Sequence, residues 1–368
     1  MSVLNQNPNR LLSLDVMRGL IMILLAAESC MVYESLNHLD TGAFNGFINQ
    51  FFHHPWHGLH FWDLIQPAFM TMAGSAMYIS YHQKLKKGIS WQQNFKHIAV
   101  RCLKLFLFGT GLHCIYAGKL VWELWNILTQ LAFTTIIAYI IIRRSYRFQI
   151  VISIVLLLLT EFLYRVVLVP GFDQPFVEYH NFGAYFDTII MGKINRDGWV
   201  AINIIPTAAH TIWGVLAGKL LISQQTSPEK IKWLVIAALL CLLIGFGLDL
   251  TGITPIIKRI STSSFVFASG GWVLLIMAFL YWLTDVKKVN KYAWVAVVVG
   301  TNAIFIYLFF ETVGIQWLNG AVGIFVKGFI GMLGVPEKIL EVISAVSTWF
   351  VEWYLCYWLF KQNIFFKI

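Results

Sequence analysis

The chain is short of charge. Lys, Arg, Asp and Glu make up 12% of its 368 residues, against roughly 25% in a soluble domain. Hydrophobic residues make up 58%, and the mean hydropathy is +0.69. This composition excludes an ordinary soluble enzyme, and no stretch reads as a separate soluble domain. The whole of 1–368 is therefore expected to be one integral membrane domain. Cysteine is also sparse. Cys30, Cys102, Cys114, Cys241 and Cys356 lie in or at apolar segments and match no zinc spacing, so they read as small apolar packing residues. The first nineteen residues lack a basic leader region, and Asp15 and Arg18 interrupt the apolar run, so no signal peptide is expected there.

What the sequence has is repeated apolar runs of about 20 residues, each long enough to cross a bilayer. The expected spans are 13–34, 61–82, 98–118, 122–142, 149–169, 199–221, 233–250, 263–284, 292–313 and 338–360. The fold expected is an all-α polytopic bundle of about ten spans. The stretch 319–335 is short, Gly-rich and carries Lys327, and reads as an added interfacial or re-entrant segment. The net charge of +9 belongs to topology and not to nucleic acid. Lys84, Lys86, Lys87 and Lys96 fill one short loop, and Arg143, Arg144 and Arg147 fill another. Lys230 with Lys232, and Lys287, Lys288 and Lys291, fill two more. These loops are expected in the cytoplasm. Residues 35–60 contain no Lys or Arg and are expected outside, with both termini cytoplasmic.

Four of the ten histidines lie in one stretch, NQFFHHPWHGLHFWDLIQPAFM, which begins in that outer loop. His53, His57 and His60 have the spacing of one helix face, but Pro55 and Gly58 interrupt it, and no metal is expected. The readings that stand are an interfacial cluster and a catalytic base or transient acyl carrier. Asp63 opens the next span, either as a favourable charge at a helix start or as the partner that holds a histidine tautomer. Asp15 and Arg18 lie three apart at the cytoplasmic end of the first span, as a structural pair or an anion site. Glu28 and Ser29 lie at its outer end. Gln130, Asn203, His210, Asn302 and Glu311 are polar groups within spans, and PIIKRISTSSF brings Lys258, Thr262, Ser263 and Ser264 to an outer loop. Singly such groups are interhelical glue; together they read as a polar cavity.

Several motifs, in order, resemble the heparan-α-glucosaminide N-acetyltransferase family and its bacterial relatives, within the wider transmembrane acyltransferases. They are RLLSLDVMRGL, HHPWHGLHFWDLIQPAFMTMAG, NILTQLAF, PIIKRISTSSFV and GTNAIFIY. The resemblance runs from about residue 10 to the C-terminus. It implies transfer of an acetyl group from cytosolic acetyl-CoA to an amino sugar or glycan on the periplasmic side of a bacterial inner membrane. It places the catalytic histidine on His53, with Asp63 as the motif aspartate. Asp15, Arg18, Ser29, Arg101, Gln130 and Asn302 are the expected donor-binding residues. Glu28, Trp56, His57, Lys258 and Ser263 are the expected acceptor-binding residues. The sequence departs from the family at Leu131, where Arg is usual, and at Ile257 and Ile260 or Ser261, where Asn and Trp are usual. Near the outer end of the first span, Glu28 and Ser29 stand in the neighbourhood of a usual Asn. An inner-membrane sugar transporter is the alternative function, weakened by the lack of an inverted repeat. A homodimer is left open.

Overall fold

The computed structural model describes residues 11–366. Arg10, Lys367 and both chain termini, with their expected cytoplasmic placement, lie outside the described residues. The helices are α1 (Leu12–Ser29), α2 (Val32–Asn37), α3 (Ala43–Ile48), α4 (Ile65–Lys86), α5 (Trp91–Ala117), α6 (Ile127–Ile140), α7 (Tyr146–Val166) and α8 (Phe182–Met191). They continue as α9 (Ile204–Leu221), α10 (Ser227–Leu250), α11 (Ser263–Leu280), α12 (Ala293–Thr301), α13 (Ala303–Phe309), α14 (Asn319–Ile330) and α15 (Glu337–Lys361). No strand forms among the described residues; two isolated bridges join His57 to Ile257 and Val169 to Phe172.

Polar caps between apolar runs set the helix ends. Ser90 and Gln93 form a reciprocal capping box before α5, and Thr226 and Glu229 form another before α10. Asn126 accepts from Leu128 N at 2.8 Å and Ser145 from Phe148 N at 3.3 Å, opening α6 and α7. Each satisfies backbone donors that a helix start leaves without partners.

Among the described residues, seven helical stretches are long and apolar enough to cross a membrane: Trp91–Ala117, Tyr146–Val166, Ala201–Leu221, Ser227–Leu250, Ser263–Val286, Ala303–Leu333 and Glu337–Lys361. The other expected spans also form helices, but shorter or more polar ones. α1 has 18 residues and includes Asp15, Arg18 and Glu28, and α6 has 14. Two expectations change in the last third of the chain. The run 292–313 is not one helix, because it breaks at Asn302, between α12 and α13. The segment 319–335 is not a separate interfacial piece. A π-helical stretch, Phe310–Leu318, carries the chain from α13 into α14 without a break. The glycines there each cost about 1 kcal/mol of helix propensity, and the helix continues through them. Lys327 pairs with Glu337 at 3.6 Å across the turn into α15.

Two compact units form among the described residues. The first comprises 11–52, 60–62 and 279–366; the second comprises 53–59 and 63–278. In the first, α1 and α12 run antiparallel in close contact: a Cβ at Gly19 would meet Ala296 O, and one at Gly300 would meet Asp15 O. Leu12 N and Ser13 N both donate to the Asp285 carboxylate at 2.9 Å, occupying the open start of α1. In the second unit, α4 and α9 pack through small residues. A Cβ at Gly74 would lie 2.1 Å from Thr211 O, and one at Gly214 would lie 2.0 Å from Thr71 O. Ser75 Oγ donates to Gly214 O at 2.8 Å in the same seam. Such small-residue contacts replace the hydrophobic driving force that helices lack in lipid.

Candidate active site

The segment that begins at His53 belongs to the second unit and is held by the turn before α11. Gly58 N donates to Ile256 O at 2.9 Å. Gly58 has φ 147°, and a Cβ there would lie 2.4 Å from the His54 ring, so only glycine fits. Trp56 Nε1 donates to Phe176 O at 2.8 Å. Across from it, PIIKRISTSSF folds as a hydroxyl-laced turn. Thr262 Oγ1 and Ser264 Oγ both donate to Pro255 O, at 2.7 and 2.6 Å, and Ile257 N donates to Thr262 Oγ1 at 3.0 Å. Ile257 and Ile260 anchor this turn in a cluster with Tyr164, Phe182, Val200 and Ile202.

These two segments bring His53, Asp63 and Lys258 together. His53 Nδ1 lies 3.0 Å from Asp63 Oδ1 and 2.9 Å from Lys258 Nζ. Lys258 Nζ lies 3.6 Å from the same carboxylate oxygen. Asp63 is fully buried and Lys258 nearly so, while the His53 side chain keeps 34% of its surface. His54 N donates to Asp63 Oδ2 at 3.3 Å, so the carboxylate is held at both oxygens. Burial, and after it the Lys258 ammonium, pushes the His53 imidazole down to about 4, against the upward pull of Asp63. At neutral pH the ring is therefore neutral and carries a free lone pair.

The four histidines part company. His57 Nε2 pairs with Asp249 Oδ1 at 2.7 Å, an oxygen that also accepts from Ile256 N. His60 Nδ1 lies 3.0 Å from Phe52 O. No group of three metal-ligating side chains forms among the described residues.

The other expected site residues take varied places. Ser263 is buried, and its hydroxyl has no hydrogen-bond partner among the described residues. Gln130, within the second unit, accepts a hydrogen bond from Gln66, and Arg101 stands on α5. Asp15, Arg18, Glu28, Ser29 and Asn302 belong to the first unit. There Asp15 pairs with Arg18 at 3.5 Å, Glu28 accepts from Trp62 Nε1 at 3.0 Å, and Ser29 Oγ donates to Phe310 O at 3.0 Å. Both ends of the Asn302 amide hold the C-terminal stretch: Nδ2 donates to Ile364 O and Oδ1 accepts from Phe366 N, each at 2.9 Å.

Trp199 was missed from the sequence. Its ring meets His53 edge-on at 5.4 Å and lies 5.2 Å from Lys258 Nζ and 5.8 Å from the Arg259 guanidinium. Asp187 fixes the loop that carries it, accepting from Ala201 N at 2.9 Å and Trp125 Nε1 at 2.7 Å. The available signal was a tryptophan in the polar outer-loop run NRDGWVAIN.

The catalytic-domain profile of heparan-alpha-glucosaminide N-acetyltransferase matches residues 10–247, well over half of the chain. The chain belongs to this family. The match takes in His53 and Asp63 but ends before Lys258, which joins them through the fold alone. No curated protein matches the chain. Family membership makes the protein a membrane acetyltransferase, of a kind that takes its acetyl group from a donor and passes it to an acceptor.

Proposed function

We propose that the protein is an acetyl-CoA-dependent transmembrane N-acetyltransferase, that its acceptor is an amine of a sugar or glycan, and that His53 is its base. The observation that carries this reading is the short contact of His53 with a fully buried Asp63. Nδ1 has a single in-plane site and serves one neighbour at a time. With its proton given to Asp63, and the Lys258 ammonium paired with the same carboxylate oxygen at 3.6 Å, Nε2 keeps the lone pair. This is the tautomer that carboxylate partners impose on catalytic histidines. Nε2 then takes a proton from the attacking amine as the new C–N bond forms. As the thioester C–S bond breaks, the proton passes to the departing thiolate. Asp63 holds the ring and stabilises its transient positive charge.

The same neutral Nε2 serves a two-step route in which His53 carries the acetyl group. Arg101 and Gln130 lie in the same unit as His53 and are proposed for the donor. Ser263 and Trp199 are proposed for the acceptor. The bacterial inner membrane is the proposed location, with the histidine loop on the periplasmic side.

The test is acetyl transfer by the purified full-length protein to a panel of amino sugars. His53→Ala is expected to lower kcat by about 10²- to 10⁴-fold, the usual contribution of a positioned base. His57→Ala and His60→Ala should stay within severalfold of the parent. Full activity in His53→Ala would overturn the assignment.

A further inference from the structure

A crevice of about 600 Å³ lies in the second unit, far along the chain from His53. Tyr146, Ile150 and Ile154 of α7 line one side, Trp213, Leu216 and Leu220 of α9 the floor, and Trp233, Ala237 and Leu240 of α10 the other side. Ser223, Gln225 and the Tyr146 hydroxyl bring polar groups to the lining at the end where the basic loops lie. α10 packs closely on α11, where a Cβ at Gly245 would lie 2.4 Å from Ala268 N, and the crevice opens on its other side, toward α7 and α9. Little of α10 is buried, whereas most of the span that contains α9 is.

The lip of this crevice is cationic. Lys219 Nζ lies 5.5 Å from the centre of the Tyr146 ring and 5.3 Å from that of Tyr78, and donates to Arg144 O at 2.7 Å. Lys232 Nζ lies 6.0 Å from the Trp233 ring. Lys230 donates to Leu221 O at 2.8 Å. Two lysines thus stand over two of the rings that wall the crevice, and Arg144 and Arg147 lie in the adjoining loop. The acidic group at this end is Glu229, which the Thr226 cap already engages. An apolar slot of 300–1,000 Å³ with a few polar groups at one end is the usual form of a site for an amphiphile. Its charge selects an anionic head.

We propose that this crevice is a binding site for an anionic phospholipid of the leaflet that the basic loops face. One acyl chain lies between α7, α9 and α10, and the phosphate lies against Lys219 and Lys232. The aromatic walls take the chain near the headgroup, and the lysine stems follow it while their ammonium groups reach the phosphate. The bound lipid fills the space between α10 and α7.

The test is native mass spectrometry and thermal unfolding of the full-length protein. It is titrated with phosphatidylglycerol, with phosphatidylcholine of the same chains, and with the matching free fatty acid. Phosphatidylglycerol is expected to be retained and to raise Tm, while phosphatidylcholine leaves Tm unchanged. The Lys219→Gln/Lys232→Gln protein should bind it roughly 30-fold more weakly, from about one surface-lysine contribution each. Ala237→Phe, which fills the slot and leaves the lysines in place, should also lose the Tm rise. Equal retention of the two phospholipids by the parent protein would overturn the proposal. So would a preference unchanged in the double variant. Stabilisation by fatty acid equal to that by phosphatidylglycerol would overturn the phosphate assignment.

Discussion

At the scale of single residues, His53 differs from its three neighbouring histidines in what it touches. All four stand in one short stretch, yet only His53 meets a buried carboxylate and a buried ammonium together. The consequence for pH is direct. The folded-state value of about 4 lies below the ordinary 6.5, so the base stays neutral at neutral pH and is lost only in strong acid. The acid limb of the kcat/KM profile should therefore fall near pH 4. Lys258→Met removes the second of the three downward causes but leaves burial, the first, and the weaker Arg259 charge. The limb should then move up and stay below 6.5; a limb that does not move would separate Lys258 from His53. The stability sign is opposite to that of a paired histidine. Because folding lowers this value, His53 has no effect on stability above pH 6.5 and weighs against the fold as pH drops from 6.5 towards 4. The importance of His53 was legible in the motif order. The involvement of Lys258 with it was not, because the two lie 205 positions apart.

At the scale of elements, the seam between α4 and α9 is the one most exposed to substitution. Gly74, Gly214 and Gly218 each face the backbone of the other helix, closer than a methyl group allows. Gly214→Leu forces the helices apart and should cost at least 1–3 kcal/mol, the usual penalty of overpacking. Thermal unfolding in detergent would read this as a lower Tm, whereas the same change at Gly247, where a Cβ meets nothing within 4 Å, should leave Tm nearly unchanged. Apolar runs placed most of the helices within a few residues. They misjudged the stretch after α12, because hydropathy does not register a break at Asn302 or a π-helical bridge at 310–318. Both depend on how the backbone turns, and an apolar sequence is equally compatible with a continuous helix and a broken one.

At the scale of the whole molecule, the loop charges carry a prediction about sidedness. With the five native cysteines replaced, a cysteine at Lys87 should react with a membrane-impermeant thiol reagent only from the cytoplasmic side. A cysteine at Asp40, in the loop without Lys or Arg, should react only from the opposite side. Labelling of both from the cytoplasmic side would place the histidine stretch in the cytoplasm and remove the need for transfer across the membrane.

The sequence by itself determined that this protein is all-helical, that it spans a membrane repeatedly and that it belongs with the acetyltransferases. Those properties rest on local composition, on loop charge and on short motifs read in order. Only the tertiary structure decided which groups meet. It separated His57 and His60 from His53, drew Lys258 and Trp199 to it, and turned Ile257 and Ile260 into the anchors of the turn that presents Lys258. It also left a lysine-lipped crevice beside α10. The physical reason is the same throughout. Burial and hydrogen bonding act between side chains brought together by packing, and in this chain those side chains come from loops hundreds of residues apart.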